Sequence, residues 1–375
     1  MVAGVPRSLP FRAEHIGSLL RTEALLNKRN EVDARQAPPE ELKALEEKDI
    51  REIVEMQRNI GYSAITDGGT RCLPDFILRG MEKVKNPTLD IFRAYLPDVG
   101  AFIEEFYKPP ESYICASKLE HVGSAYVDHF KYLANLVPPE EVKNLKLTLA
   151  APNWYHLRYR EGRAYPKKVY PSDKEYFEDI ARAYQTELQI LYDAGLRNVQ
   201  FDDPNLAYFC SEKMIAGWQA DALNTCTVDD QLNAYIKLYN DCISKRPLLI
   251  CTIPTKLFRT LNVDTYYLEF DTPRAGGFEP LKELPKYKNV IIGVVTSKFP
   301  ELEDPVEMKK RIYAAAAFVA DGSGQTVKEA LTRMGVSPQC GFASHSIGNA
   351  LDRGAMTAKL KLVRDLANDI WPGES

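Results

Sequence analysis

The sequence predicts an α/β protein built as one eight-stranded β/α barrel, the (β/α)8 or TIM barrel. Short apolar stretches of strand length alternate with amphipathic helices, which is the pattern of parallel βα units. Nearly every predicted strand ends on a polar residue, and such enzymes hold their chemistry at the carboxyl ends of the strands. A doubly wound open sheet is the structural competitor. No glycine-rich turn follows the first strand, so the dinucleotide-binding version of that sheet has no support.

The individual elements follow from periodicity and from end signals. Apolar residues recur at helical spacing between 42 and 60, Gly61 ends that helix, and residues 63–67 form the next strand. Later helices begin at polar capping residues, and a last helix ends near residue 370. These capping residues are Ser172 with Glu175, Thr227 with Asp230, and Asp304 before Pro305. The predicted strands end near Ser18, Asp67, Asn153, Asp203, Cys251, Asp271, Ser297 and Cys340.

The domain organisation is expected to be simple. Residues 1–375 form a single catalytic-type barrel domain, a length that one barrel with insertions accounts for. Residues 68–144 separate the second strand from the third and are too many for a bare loop, so we expect an insertion over the barrel mouth. An extra strand is predicted inside it at residues 112–116.

Composition and charge exclude several classes of partner. The net charge is −4 and no basic block occurs, so neither nucleic acid nor a membrane surface is an expected partner. No apolar run approaches the roughly 18 residues of a membrane span, and the first residues lack a secretory signal. The seven cysteines are scattered and odd in number, which favours reduced thiols over a disulfide scaffold. We expect a cytoplasmic enzyme.

Three residues with soft or anionic side chains stand at predicted strand ends. They are Cys251, Glu269 and Cys340. Two thiols and a carboxylate at neighbouring strand ends can converge on one zinc ion and leave a coordination position open. An open position allows zinc to bind and ionise an incoming thiol.

Other polar residues at the predicted mouth suit substrate binding. Asp202 and Asp203 leave one strand together, and adjacent strand residues point to opposite faces, so only one can face the mouth unless the strand has ended. That carboxylate would hold a substrate amine or relay a proton, and the alternative is an acidic cap on the next helix. Trp154 can stack on a flat heteroaromatic ligand or pack in the core. Near Ser18, Gly17 would let a ligand approach the backbone closely.

Four stretches of the chain resemble the cobalamin-independent methionine synthase family. They are residues 11–21 (FRAEHIGSLLR), 200–204 (QFDDP), 268–276 (LEFDTPRAG) and 337–344 (SPQCGFAS). The resemblance runs through nearly the whole chain in order and is to the short members that lack the N-terminal barrel of the full synthase. It implies an eight-stranded β/α barrel, a fold shared with uroporphyrinogen decarboxylase-like proteins.

The resemblance also implies an activity, methyl transfer from a methyltetrahydrofolate, usually polyglutamylated, to the thiol of homocysteine to give methionine. The family holds a catalytic zinc through a His-x-Cys pair, a Glu and a second Cys, which carries over to Cys251, Glu269 and Cys340. Further matches concern the two small-molecule substrates. Ile16, Gly17, Ser18 and Asp202 match positions that hold the amino-acid group of homocysteine, and Trp154 matches a tryptophan near the folate.

The chain departs from the family pattern at several positions. Leu249 stands where the family has the zinc-binding His, and Gly69 replaces a carboxylate expected to bind the substrate amine. Cys72 stands where short members tend to carry Arg, and the connection from Cys251 to Glu269 is shortened. No counterpart of the proton-donating His is evident near residues 296–298. We therefore expect zinc to bind more weakly than in the family.

These departures leave more than one function open. The first is the zinc-dependent methyltransferase or a related thiol alkyltransferase. The second is a catalytically impaired barrel that serves as a binding or regulatory protein, since a fold does not fix a function. The third is a zinc-independent lyase on the same scaffold. Nothing in the sequence determines the thiol acceptor or the oligomeric state.

Overall fold

The structure is a computed structural model that describes residues 11–71, 78–84, 89–96, 112–245, 249–252, 258–271, 275–343 and 349–374. Its helices are α1 Glu23–Asp33, α2 Pro39–Ile60, α3 Val127–Ala134, α4 Asp173–Asp193, α5 Glu212–Ala220, α6 Val228–Cys242, α7 Pro305–Ser323, α8 Val327–Leu331 and α9 Arg353–Ile370. Its strands are β1 Leu78–Val84, β2 Ser112–His121, β3 Lys146–Ala150, β4 Asn198–Asp202, β5 Leu249–Thr252, β6 Thr265–Glu269, β7 Asn289–Val295 and β8 Met334–Pro338. None of the helices in these ranges combines the length and apolar character needed to cross a membrane.

Strands β3 to β8 form one parallel sheet in which the spatial order equals the chain order. One parallel bridge extends each edge, Ala13 with Val336 of β8 and Ile65 with Leu145 before β3. The first two predicted strands are therefore single bridges and not the longer strands expected. Their extended backbone ends within a few residues because Gly17 and Gly68 adopt left-handed φ angles of +63° and +69°.

A buried ion pair joins the first bridged segment to the middle of the sheet. The Lys146 ammonium lies 2.6 Å from the Glu14 carboxylate and donates to the His15 carbonyl at 2.8 Å. The Tyr267 hydroxyl of β6 donates to the other Glu14 oxygen at 2.8 Å. Residues that lie three strands apart in the order thus meet inside, so the sheet is strongly curved. Ile16, Tyr267 and Ile291 form a small apolar cluster of their own.

The insertion contains an antiparallel pair of strands, β1 and β2. The predicted strand at 112–116 is confirmed, and β2 continues to His121. The pair is anchored to the rest of the protein at two places. The Cys115 amide donates to the Ala164 carbonyl at 3.2 Å, and the His121 imidazole lies 2.7 Å from the Glu187 carboxylate of α4. The insertion therefore packs against α4 and against the segment that follows β3.

Most of the predicted helix ends are confirmed. Gly61 ends α2 with a φ of +94°, and Thr227 with Asp230 forms a reciprocal capping box on α6. Asp304 caps α7 before Pro305, and Ser172 caps α4 by accepting from the Lys174 amide at 3.3 Å. Local polar groups satisfy the free amides of a first turn without tertiary help, which is why these ends are readable in the sequence.

Candidate active site

The carboxyl ends of β4, β6 and β8 bring charged groups together. Glu269 is the exposed last residue of β6, and Cys340 lies half-buried two residues after β8. Burial raises the pKa of the Cys340 thiol, and the nearby charges of Glu269 and Asp202 raise it further, whereas Lys298 opposes them. The thiol therefore lies within electrostatic reach of both carboxylates, which stand at the ends of β6 and β4.

The third predicted metal ligand is placed only by its backbone. Cys251 lies in β5, where it is in register with Thr265 of the adjacent strand β6. The side chains of Cys251 and Leu249 lie outside the described residues, as does Cys72. Among the described side chains, no three His, Cys, Asp or Glu residues are grouped so that they could hold a metal ion. The zinc ligand set of Cys251, Glu269 and Cys340 thus stays a prediction, and the structure describes the side chains of Glu269 and Cys340.

The two aspartates at the end of β4 have opposite surroundings, as the alternation of a strand requires. Asp202 is exposed to solvent. Partial loss of hydration nevertheless raises the pKa of its carboxyl group. An accessible carboxyl with a raised pKa suits proton transfer or binding of a cationic group.

Asp203 is fully buried and holds neighbouring segments together. Its carboxylate accepts four hydrogen bonds, from Tyr239 Oη, Asn153 Nδ2 (3.1 Å), Asn205 N (2.8 Å) and Leu206 N (3.2 Å). Burial raises the pKa of this carboxyl to about 6, although the hydrogen bonds oppose the rise. An acidic cap on the next helical segment was the alternative role for this pair. Asp203 fills that role, because it accepts from the Asn205 and Leu206 amides at the start of the turn after β4.

Trp154 lies beside Asp202, in a short 3-10 turn that follows β3. Its indole Nε1 is 3.4 Å from the Asp202 carbonyl oxygen, the long end of the hydrogen-bond range. The Arg158 guanidinium lies 5.1 Å from the ring centroid, a cation–π distance. The ring is half-buried, so it is neither a core residue nor a free platform. A flat ligand stacked on Trp154 would share the ring with Arg158.

The segment predicted to bind the amino-acid group packs tightly against the loop after β8. A Cβ on Gly17 would lie 3.0 Å from Gly341 Cα, and a Cβ on Gly341 would lie 2.7 Å from Ser18 N. The Ser18 carbonyl also accepts from the Phe342 amide at 2.7 Å. The Ile16 side chain is buried in the interior cluster, so only its backbone is left to face a substrate. The two glycines are required for this close approach.

The loop after the second bridge runs beside Ser18. Gly69 has a φ of +59°, and a Cβ there would lie 2.6 Å from the Ser18 hydroxyl oxygen. Asp67 does not extend into the mouth as a free group, because its carboxylate accepts from the Gly69 amide at 2.9 Å. The Arg21 guanidinium donates to the Gly69 carbonyl at 2.5 Å. A side chain at position 69 would therefore have to adopt a left-handed backbone and displace the Ser18 hydroxyl.

Sequence reasoning missed a polar network behind Cys340. The Gln339 side-chain oxygen accepts from Ser297 Oγ at 2.6 Å, and Asn349 Nδ2 donates to the carbonyls of Ser297 (2.8 Å) and Gly341 (3.1 Å). The network fixes the loops after β7 and β8 on both sides of the thiol. Gln339 directly precedes Cys340 in the sequence, but only the tertiary structure brings it and Asn349 to Ser297.

His15 is a structural residue. It is almost completely buried, and its Nε2 lies 2.8 Å from the Gln57 side-chain oxygen of α2. Burial and the charge of Lys146 lower its pKa to about 3. The ring is therefore neutral at ordinary pH and faces helix α2.

Comparison with known proteins identifies the family. Residues 165–368, more than half of the chain, match the family model described as the catalytic domain of cobalamin-independent synthase. The chain belongs to the cobalamin-independent methionine synthase family. The matched region includes β4 to β8, hence Asp202, Cys251, Glu269 and Cys340.

Three proteins align with this chain over nearly its whole length. The uncharacterized proteins YxjH and YxjG of Bacillus subtilis are 30% and 31% identical and are aligned over 97% and 96% of this chain and 96% and 95% of theirs. A Listeria monocytogenes protein described as a vitamin-B12-independent methionine synthase has a similar structure. It has a TM-score of 0.70 and 26% identity, with coverage of 97% of this chain and 99% of that one. The family resemblance of the sequence is thus confirmed.

Proposed function

We propose that this chain is a zinc-dependent methyltransferase that moves a methyl group from a methyltetrahydrofolate to the thiol of homocysteine. The observation that carries the proposal is the shared electrostatic site of Asp202, Glu269 and Cys340 at three strand ends. In a parallel β/α fold this edge is where substrates bind. For the whole chain, residues 1–375, we propose one closed eight-stranded barrel. Its first two strands are the two single bridges.

The donor set suits a zinc ion held by Cys251, Glu269 and Cys340. Thiolates and a carboxylate are zinc ligands, and three of them leave a position open. The surroundings of Cys340 support this fit, because two carboxylates and burial disfavour its thiolate and a divalent cation would favour it. A bound zinc ion would supply positive charge that favours the ionised form of an incoming thiol. Position 249 offers no imidazole, so the set has one ligand fewer than the family pattern.

The remaining residues of the site would orient the substrates and move a proton. Asp202 holds the amine of the acceptor or carries a proton, since its raised pKa favours the protonated carboxyl more than in an ordinary aspartate. The methyl donor is an amine and leaves poorly until its nitrogen is protonated, so a positioned acid is required. Trp154, beside Asp202, would stack on the flat ring of the donor. Alignment of sulfur, methyl carbon and nitrogen would supply much of the rate.

The proposal is tested by metal content and by methyl transfer in the same preparations. Wild-type protein is expected to contain zinc by mass spectrometry, to lose it to a chelator, and to form methionine from homocysteine and methyltetrahydrofolate triglutamate. Cys340→Ser should abolish both properties, and Leu249→His should raise zinc occupancy. Cys210→Ser alters an exposed thiol outside the site and is the matched control. Methyl transfer that is unaffected by Cys340→Ser would refute the proposal.

A binding protein without this chemistry is the second candidate, and Gly69 favours it. A carboxylate side chain at position 69 would anchor the substrate amine, but the chain has glycine there, and the left-handed backbone and the contact with Ser18 disfavour any side chain. Under this alternative, folate or thiol binding by calorimetry would persist while no product forms with any zinc loading. Product formation by the wild-type protein would exclude it.

A further inference from the structure

Asp203 connects the parts of the chain that carry Asp202 and Trp154. Its carboxylate accepts from Asn153, the residue before Trp154, and from the amides of Asn205 and Leu206, in the loop that follows Asp202. It also accepts from the Tyr239 hydroxyl of α6, the helix that packs outside this part of the sheet. One buried carboxylate thus fixes two loops of the mouth to one helix.

We propose that Asp203 is a positioning residue that holds the Asp202 carboxyl and the Trp154 ring in their places at the mouth. Asp203 is fully buried, so it touches no substrate and acts only through these neighbours. The proposal rests on the proposed function for the roles of Asp202 and Trp154, but the positioning itself is a property of the protein alone.

The charge of Asp203 is what this arrangement needs. All four partners are donors, so an ionised carboxylate can accept from each of them, whereas an amide or a protonated carboxyl would turn an N–H or O–H toward a donor. The titratable groups that face Asp203 are the Asp202 carboxyl and the Tyr239 hydroxyl, since Asn153 and Asn205 do not titrate. Asp202 is the nearby group whose charge disfavours ionisation of Asp203.

Protonation of Asp203 should disturb the mouth without weakening the fold. Its folded-state pKa of about 6 lies above the ordinary value of 3.8. The folded state therefore takes up the proton before the unfolded state does, and the contribution of Asp203 to stability rises as the pH falls from about 7 toward 4. A residue with a purely structural role would lose local order and stability together. Protonation of Asp203 is instead expected to reduce local order at Trp154 while the stability of the fold does not fall.

The test is fluorine NMR of protein labelled with 5-fluorotryptophan. The chain has three tryptophans, Trp154, Trp218 and Trp371. Trp154→Phe assigns the Trp154 resonance. In the wild type this resonance should shift with a midpoint near pH 6, while those of the buried Trp218 and Trp371 stay unchanged. In Asp203→Asn the Trp154 resonance should be displaced at pH 7.5 and should no longer titrate. A titration that persists in Asp203→Asn belongs to Asp202 and would overturn the proposal.

Two further variants control for folding. Tyr239→Phe keeps the carboxylate and removes one hydrogen bond that lowers its pKa, so the Trp154 midpoint should move upward from pH 6. Asp179→Asn changes another buried carboxylate that accepts from a tyrosine, Tyr170 at 2.6 Å, and should leave the Trp154 resonance unchanged. An unchanged midpoint in Tyr239→Phe would refute the role of Asp203 even if Asp203→Asn does not fold.

Enzyme kinetics test the functional consequence separately. Asp203→Asn should lower kcat/KM for methyl transfer by about tenfold to a hundredfold, the range expected for misplaced groups. An unchanged kcat/KM would overturn the positioning role. If the wild type has no methyl-transfer activity, the proposed function fails, and the NMR result alone decides whether Asp203 positions Trp154.

Discussion

Gly69→Glu would restore a carboxylate to the loop beside Ser18, where the proposed acceptor amine would bind. The backbone conformation at position 69 opposes the gain in affinity for the amine. Position 69 has a φ of +59°, and a new Cβ would lie 2.6 Å from the Ser18 hydroxyl oxygen. Any residue other than glycine must therefore strain the loop and displace Ser18.

The two opposing terms have similar size. A left-handed backbone costs about 1–2 kcal/mol for a residue with a Cβ. A charge-assisted hydrogen bond to the substrate amine would contribute about 1.5–3 kcal/mol, or roughly tenfold to a hundredfold in affinity. Gly69→Ala carries the strain without the carboxylate and is the matched control. Only the comparison of the two variants isolates the charge.

Urea denaturation and calorimetric titration with homocysteine measure the two terms. Both variants should lose about 1–2 kcal/mol of unfolding free energy. Gly69→Glu should bind homocysteine about tenfold to a hundredfold more tightly than Gly69→Ala. Equal affinities in the two variants would show that position 69 does not contact the amine. Undiminished stability in Gly69→Ala would contradict the strained loop.

Two further predictions concern buried charges. Lys146→Met leaves the Glu14 carboxylate buried without its cation and should cost about 3–5 kcal/mol in urea denaturation, whereas Lys361→Met at an exposed pair should cost at most about 1 kcal/mol. Similar losses in both variants would argue against the interior ion pair. The pKa of His15 is lowered to about 3, so the unfolded state binds a proton that the folded state does not. His15 therefore makes stability fall as the pH drops from about 6.5 toward 3, by up to about 1.4 kcal/mol per pH unit. His15→Gln should flatten this slope, and an unchanged slope would contradict the burial of a neutral ring.

The part of the candidate site that the sequence predicted is the part that depends on residues adjacent along the chain. A strand that alternates between faces requires Asp202 and Asp203 to differ in burial, and the structure has one exposed and one fully buried. The sequence did not indicate that Asp203 would accept from Asn153 and Tyr239, which are 50 and 36 residues away along the chain. Such contacts depend on how loops and helices pack, and periodicity carries no information about that.

The sequence by itself determined the class of fold, the helix ends and the strand ends at which polar residues stand. These features depend on local hydrogen bonds and on the burial of one face, which a few neighbouring residues specify. Tertiary structure decided that the first two strands shrink to single bridges, because glycine turns interrupt them. It also decided that Glu14, Lys146 and Tyr267 meet in the interior, and that Glu269 and Cys340 share one site. A contact between distant strands is set by the curvature of the whole sheet, and no local segment encodes that curvature.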